Sequence, residues 1–161
     1  MHELARAWNV PRSSIITAAC ALLVRSWSGG ASEVVLDFPV SRRTQDTSKT
    51  LPAMLSGVLP LVVPVPPHAT VAEFCAQVDD RIRETLAHQR FPVREAEDKT
   101  GSDTAHRAGR VAVNFIPSVF TLDFGGVPAS ASYTSSGQVS GFGLFFSPAG
   151  DELHLSTAGA G

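Results

Sequence analysis

The chain has 161 residues, the size of one domain and long enough to bury a core without disulfide or metal staples. Hydrophobic residues make up 43% and charged residues 17%, which sets the chain apart from disordered sequences. Thirteen Lys and Arg against fifteen Asp and Glu leave a net charge of -2, which argues against a nucleic-acid binder and its clustered basic face. The two cysteines, Cys20 and Cys75, cannot make a disulfide framework or a four-thiolate zinc site, and their apolar helical surroundings suit small buried hydrophobes.

A short helix over 2–8 ends at Asn9, and Pro11 suits the first turn of a second helix over 11–27. The apolar run 15–24 leaves that helix almost no polar face, so it is expected to be covered on several sides. At ten residues the run is too short for a bilayer span, which takes about 20. Arg6 and Arg12 precede it as they would a signal peptide, but Arg25 closes it and no small-residue cleavage site follows at once. With no longer apolar run, the expectation is a soluble, cytoplasmic protein without a membrane partner. Gly29 and Gly30 end the helix.

Residues 33–40 (EVVLDFPV) read as a strand, followed by a polar loop over 41–50. A second strand over 58–65 contains Pro60 and Pro64, which place it at a sheet edge. Thr70-Val71-Ala72-Glu73 is a capping box for a helix with Val71, Phe74, Val78, Ile82 and Leu86 on one face, ending near His88 and Gln89. Asp79, Asp80, Arg81, Arg83 and Glu84 are expected mostly on the opposite, solvated face. A short helix over 92–99 and a polar loop over 100–109 follow. Strands are expected over 110–116, 120–124, 129–134, 143–147 and 153–156, with turns at Gly125-Gly126, Ser136-Gly137 and Gly150-Asp151. Phe142, Phe145 and Phe146 read as strand packing and not as a base-stacking platform, because no basic residues accompany them. The whole is an α/β (α+β) chain, a mixed β-sheet flanked by helices, forming a single domain over 1–161.

No catalytic constellation stands out from the residues alone. His2, His68, His88, His106 and His154 are dispersed, with no H-x-x-x-H spacing, and no metal site is announced. There is no G-x-S-x-G elbow and no phosphate loop, since Gly125-Gly126 and Gly141-Phe142-Gly143 do not join a strand to a helix with the required Lys or third Gly.

Several blocks in order resemble the C-terminal half of the condensation domain of nonribosomal peptide synthetases, in the chloramphenicol-acetyltransferase-like superfamily. Leu4-Ala5-Arg6 and Ser14-Ile15-Ile16-Thr17-Ala18-Ala19 are similar to that half's first long helix. EVVLDFPVSRR at 33–43 resembles its strand and Pro-Val-Ser-Gly-Arg loop, and MLSGVLPLVVPV at 54–65 its Phe-Val-Asn-Thr-Leu-Pro-Leu-Arg strand. Residues 70–91 resemble a helix ending in Ala-His-Gln before an aromatic and Pro, and Val113-Asn114-Phe115 its Phe-Asn-Tyr strand. Residues 122–126 and 137–147 resemble the strands that follow.

The resemblance implies a chloramphenicol-acetyltransferase-like half-domain that forms part of a substrate tunnel and a carrier-protein surface. Arg43 stands for the motif arginine, as a structural or carrier-facing residue. Gly57 and Asn114 would line or buttress the cleft between the two halves. The implied partners are a peptidyl or acyl carrier protein, whose phosphopantetheine brings the substrate, and an N-terminal condensation half; no cofactor would be bound directly. Departures are equally specific. The family's Asn aligns with Gly57, its Gly with Arg42, and its arginine after Leu-Pro-Leu with Val62. The catalytic His-His-x-x-x-Asp-Gly motif belongs to the N-terminal half, and this chain has no His-His pair. A catalytic base must reach the proton it removes within about 3 Å or through one water, so the chain alone is expected to condense nothing. The alternatives are a non-catalytic interaction module or relic that binds a carrier protein or self-associates, and a small acyltransferase using His88 or His106.

Overall fold

The computed structural model describes residues 1–43, 50–53, 55–91, 109–116, 121–130, 141–149 and 152–159. In chain order these form α1 (His2–Ala7), α2 (Arg12–Trp27), β1 (Glu33–Ser41), β2 (Ser56–Pro64), α3 (Val71–Ala87), β3 (Val111–Phe115), β4 (Thr121–Phe124), β5 (Val127–Ser130), β6 (Phe142–Ala149) and β7 (Glu152–Gly159). The expected helix over 92–99, the loop over 100–108 and the turns at Ser136-Gly137 and Gly150-Asp151 lie outside the described residues.

Five strands make one mixed sheet in the order β2-β1-β3-β6-β7, with β1/β3 and β3/β6 parallel and the outer pairs antiparallel. The strands alternate as their pleat requires. Val34, Leu36 and Val40 of β1, Leu59, Leu61 and Val63 of β2, Val111 and Val113 of β3 and Leu144 of β6 are buried. The register sets these residues on one face of the sheet. There α2 packs over β1 and β3, and α3 packs over β2. The opposite face carries Val35, Asp37, Pro60, Val62, Asn114 and Phe145.

Prolines shape the pairing of β1 and β2. The Val65 N–H donates to the Ser32 carbonyl, and the Arg42 N–H donates to the Leu55 carbonyl. Backbone groups alternate in direction along a strand. Odd-numbered residues of β2 therefore face β1, and Pro60 and Pro64 face the free edge, where their missing N–H costs no ladder bond. This is the edge position expected from the two prolines. By the same alternation Pro39 of β1 faces β3. The β1/β3 pairing is recorded at Leu36 and Asp37, before Pro39 would be asked for a donor.

The turns follow local chemistry. Asn9, with φ 52°, separates α1 from α2. Gly125 and Gly126 have φ 65° and 90°, the positive values of a two-residue hairpin turn, so Phe124 pairs directly with Val127. β5 therefore starts at Val127, and not at 129 as the sequence spacing suggests. The Asp123 carboxylate accepts the Gly126 N–H at 2.8 Å.

One expectation for the helices is refined and one is corrected. α2 is covered on several sides as expected, but not by its apolar residues alone: Leu22 and Leu23 are 41% and 40% exposed, whereas Ser14 and Thr17 are buried. Apolar content does not say which side of a helix meets the core. Asp79 is not solvated: it is 4% exposed, and the Ser14 hydroxyl of α2 donates to its Oδ1 at 2.7 Å. Arg83, one turn on, ion-pairs with its other oxygen. The helix–helix contact is thus organised around a buried carboxylate answered from both sides.

The capping box of α3 forms as read. Thr70 Oγ1 accepts from the Glu73 N–H at 3.3 Å, and Glu73 accepts from the Thr70 N–H at 2.8 Å. The Thr70 backbone and hydroxyl bonds hold the Glu73 carboxyl below its ordinary range.

Two outcomes follow for stability. Ser14→Ala leaves a buried Asp79 oxygen without its donor and is expected to cost about 1–3 kcal/mol, measured by urea unfolding. Because the Glu73 pKa is lowered on folding, its contribution is present above the unfolded value and fades as pH falls through the folded one. Thermal unfolding of the chain is therefore expected to weaken more steeply on acidification than that of Thr70→Ala, which lacks the hydroxyl and its share of the shift.

Candidate functional site

The residues that the resemblance assigns to a cleft fall on two strands and the loop after one of them. Val40 pairs with Gly57 and Ser41 with Ser56, so Arg42 and Arg43 leave β1 at its far end beside the start of β2. Arg43 turns onto the returning chain. Its Nη1 donates to the Leu51 carbonyl at 3.0 Å and its Nη2 to the Ala53 carbonyl. One guanidinium thus bridges the Leu51 and Ala53 carbonyls and ties that segment to the end of β1. Arg42 turns the other way. A Cβ built on Gly57 would lie 2.6 Å from Arg42 Nε and 3.0 Å from its central carbon, so the guanidinium rests on the glycine backbone.

Asn114 is half-buried on β3, opposite Phe145 of β6. It lies on the sheet face away from the helices, whereas Gly57 lies on the helix side, so the fold does not bring these two together on one surface of the sheet. On the face that Asn114 shares, Arg110 Nη1 approaches Asp37 Oδ1 at 3.7 Å, with both side chains largely shielded. In the sequence Asp37 is the one interior charge of the strand read at 33–40. Its cross-sheet neighbour Arg110 could be found only from the β1/β3 register.

A hollow of about 370 Å³ opens between β2 and the end of α3, lined by Leu59, Pro60, Glu84, Thr85, His88 and Phe91. His88 caps α3 and its Nδ1 donates to the Glu84 carbonyl at 3.0 Å. That ring nitrogen therefore completes the helix end in place of facing the hollow as a base. His106, the other histidine considered for catalysis, lies outside the described residues. Among the described residues no group of three or more His, Cys, Asp or Glu side chains is placed to hold a metal ion. Among the described residues no helix is long and apolar enough to cross a membrane.

Cys20 and Cys75 are both buried and free. Burial pushes the Cys20 thiol up to about 11 and raises that of Cys75. A thiol is nucleophilic only as its thiolate, so these two are packing residues and not candidate nucleophiles.

No protein-family model matches the chain. Solved structures do. The first condensation domain of the calcium-dependent antibiotic synthetase, in complex with a substrate analogue, superposes with a TM-score of 0.82 at 26% identity, over 99% of this chain and 36% of that one. The starter condensation domain of rhizomide synthetase gives 0.71 at 26% identity, over 90% and 35%. The architecture is therefore that of a condensation domain, the chloramphenicol-acetyltransferase-like fold expected from the sequence motifs. Among curated proteins the chain is 30% identical over 140 residues to an isonitrile lipopeptide synthase of Streptomyces coeruleorubidus. It is 28% identical over 140 residues to a dimodular nonribosomal peptide synthase of Bacillus subtilis (strain 168). The chain is similar to part of a nonribosomal peptide synthetase condensation domain, in keeping with the C-terminal half. It spans 10% and 6% of the two synthases and about a third of the solved condensation-domain chains.

The thiol environment gives a direct check. At pH 8 a disulfide reagent is expected to modify neither Cys20 nor Cys75 in the folded chain: both are buried, burial raises both thiols, and Cys20 at about 11 is only about one part in a thousand thiolate. Both should react in denaturant. Fast modification of the native chain would show that the α2–α3 packing opens.

Proposed function

We propose that the chain serves as the C-terminal subdomain of a condensation-type acyltransferase of nonribosomal peptide or related lipid or polyketide biosynthesis. In this role it forms part of the substrate tunnel and of the surface that receives a carrier protein. The observation that carries the reading is the likeness over 99% of the chain to just 36% of a condensation domain: the match runs through the whole of this chain and stops short of the whole domain. The chain itself contains no His-His pair. The base that deprotonates or positions the acceptor amine would therefore come from an N-terminal half, and this chain alone is inactive.

Within that reading, Arg43 shapes the wall by bracing 50–53 against the end of β1. Gly57 keeps the end of β2 low, and Asn114 presents a neutral amide on the opposite sheet face. The substrate would arrive on the phosphopantetheine of a peptidyl or acyl carrier protein. Its thioester carbonyl is attacked by the acceptor amine; the carrier thiol leaves and the amine proton passes to the base. This chain's residues would position the two reactants. Holding them in attack geometry is itself worth orders of magnitude in rate.

A non-catalytic binding module or relic is the second reading. It draws on the apolar residues left in solvent on the β4–β5 hairpin, Phe124 at 67% and Val127 at 64% exposed, since a two-stranded hairpin is marginal without a partner. Under either reading the proposed place of work is the cytoplasm.

Reconstitution separates them. The chain is mixed with a separately expressed N-terminal condensation half that carries His-His-x-x-x-Asp-Gly, together with a donor-loaded carrier and an acceptor amine, and amide product is followed by mass spectrometry. No product is expected from the chain alone and product is expected from the mixture. Product from the chain alone would sink the subdomain reading. Binding to the carrier without product, in the presence of a half that is active with another C-terminal partner, would favour the module.

A further inference from the structure

Two departures from the family pattern, Arg42 and Gly57, meet in space. The pattern has a glycine where this chain has Arg42 and an asparagine where it has Gly57. In the fold the Arg42 guanidinium lies across Gly57, in the space where any side chain at 57 would begin.

The local chemistry leaves that cation open. Arg43 spends both terminal nitrogens on the carbonyls of Leu51 and Ala53. The backbone N–H of Arg42 completes the β1/β2 ladder at Leu55, but its guanidinium has no hydrogen-bond or ion-pair partner among the described residues. Its cross-strand surroundings, Val40, Ser41, Ser56 and Gly57, carry no carboxylate. Leu59, the next residue of β2 on the same face, is buried and lines the apolar hollow. A guanidinium flattened on backbone has less freedom to lose on binding than one in solvent. Its planar fork also matches the two oxygens of a carboxylate or phosphate.

We propose that Arg42 and Gly57 act as one position, in which the glycine seats the guanidinium and the guanidinium holds an oxyanion, a phosphate or carboxylate, at the end of the β1–β2 hairpin. This goes beyond the subdomain reading and does not need a second half or a carrier.

The test is an NMR titration of the isotope-labelled chain, following the Arg42 Nε–H signal. Inorganic phosphate and acetate are added in separate arms, each against sodium chloride at matched ionic strength. A saturable response to either oxyanion, beyond that to chloride, is expected; the arm that binds more tightly tells phosphate from carboxylate. Arg42→Gly should abolish the binding. Gly57→Ala places a methyl group 2.6 Å from Nε, so the guanidinium must swing away, and binding should weaken at least about threefold. Because the end of an arginine moves easily, Gly57→Ala should leave the remaining amide spectrum in place. In the Arg42→Gly background, Gly57→Ala should add nothing. Responses no larger than those to chloride, binding that survives Arg42→Gly, or indifference to Gly57→Ala would each overturn the proposal. Since neither carrier nor N-terminal half is present, failure here is separate from failure of the reconstitution.

Discussion

Asp79 sits where α2 and α3 meet over the sheet, and a carboxylate in that place has to be satisfied from both helices at once. Ser14 supplies a hydroxyl from α2 and Arg83 supplies charge from one turn along α3. Apolar contacts between two helices tolerate sliding and rotation at modest cost. A hydrogen bond to a buried carboxylate does not, because losing it leaves a charge without a donor. The pair therefore ties α2 to α3, and these two helices cover β1, β2 and β3. The position of β2 relative to α3, and with it the hollow at Leu59 and His88, depends on that contact.

The sheet shows how little freedom its central strands leave. β1 gives its even-numbered backbone groups to β2 and its odd-numbered ones to β3, and Pro39 ends what it can offer β3. Beyond that point β1 is held chiefly by β2. The two arginines follow there, one gripping the returning loop and one lying on Gly57. The end of the hairpin is thus fixed by side chains where the ladder to β3 has stopped.

Local features were legible in the sequence. The capping box of α3 was, because Thr70 and Glu73 are three residues apart and each satisfies the other's backbone. The edge position of β2 was, because a proline cannot donate and two in one strand point to a free side. The glycines after α2 and in the β4–β5 turn were, because their positive φ values are costly for other residues. What remained hidden depends on register. Asp79 looks like its solvated neighbour Asp80 until Ser14, 65 residues earlier, is placed against it. Arg42 and Gly57 each look like an isolated departure until the β1/β2 pairing sets one on the other. Hydrophobicity likewise misplaced part of the cover on α2, because composition along a helix does not reveal which side its neighbours occupy.

The edge prolines also limit how anything can meet this face of the molecule. Val58 and Val62 project from β2, 54% and 43% exposed. On that same edge Pro60 and Pro64 remove two donors from the row of backbone groups that an added strand would need. A polypeptide that approached as a further strand would find an interrupted ladder. Contact there is left to side chains, whose shape and polarity differ from one partner to the next, and not to backbone, which is the same in all of them. The edge thus admits recognition while discouraging the indiscriminate pairing by which exposed sheets aggregate.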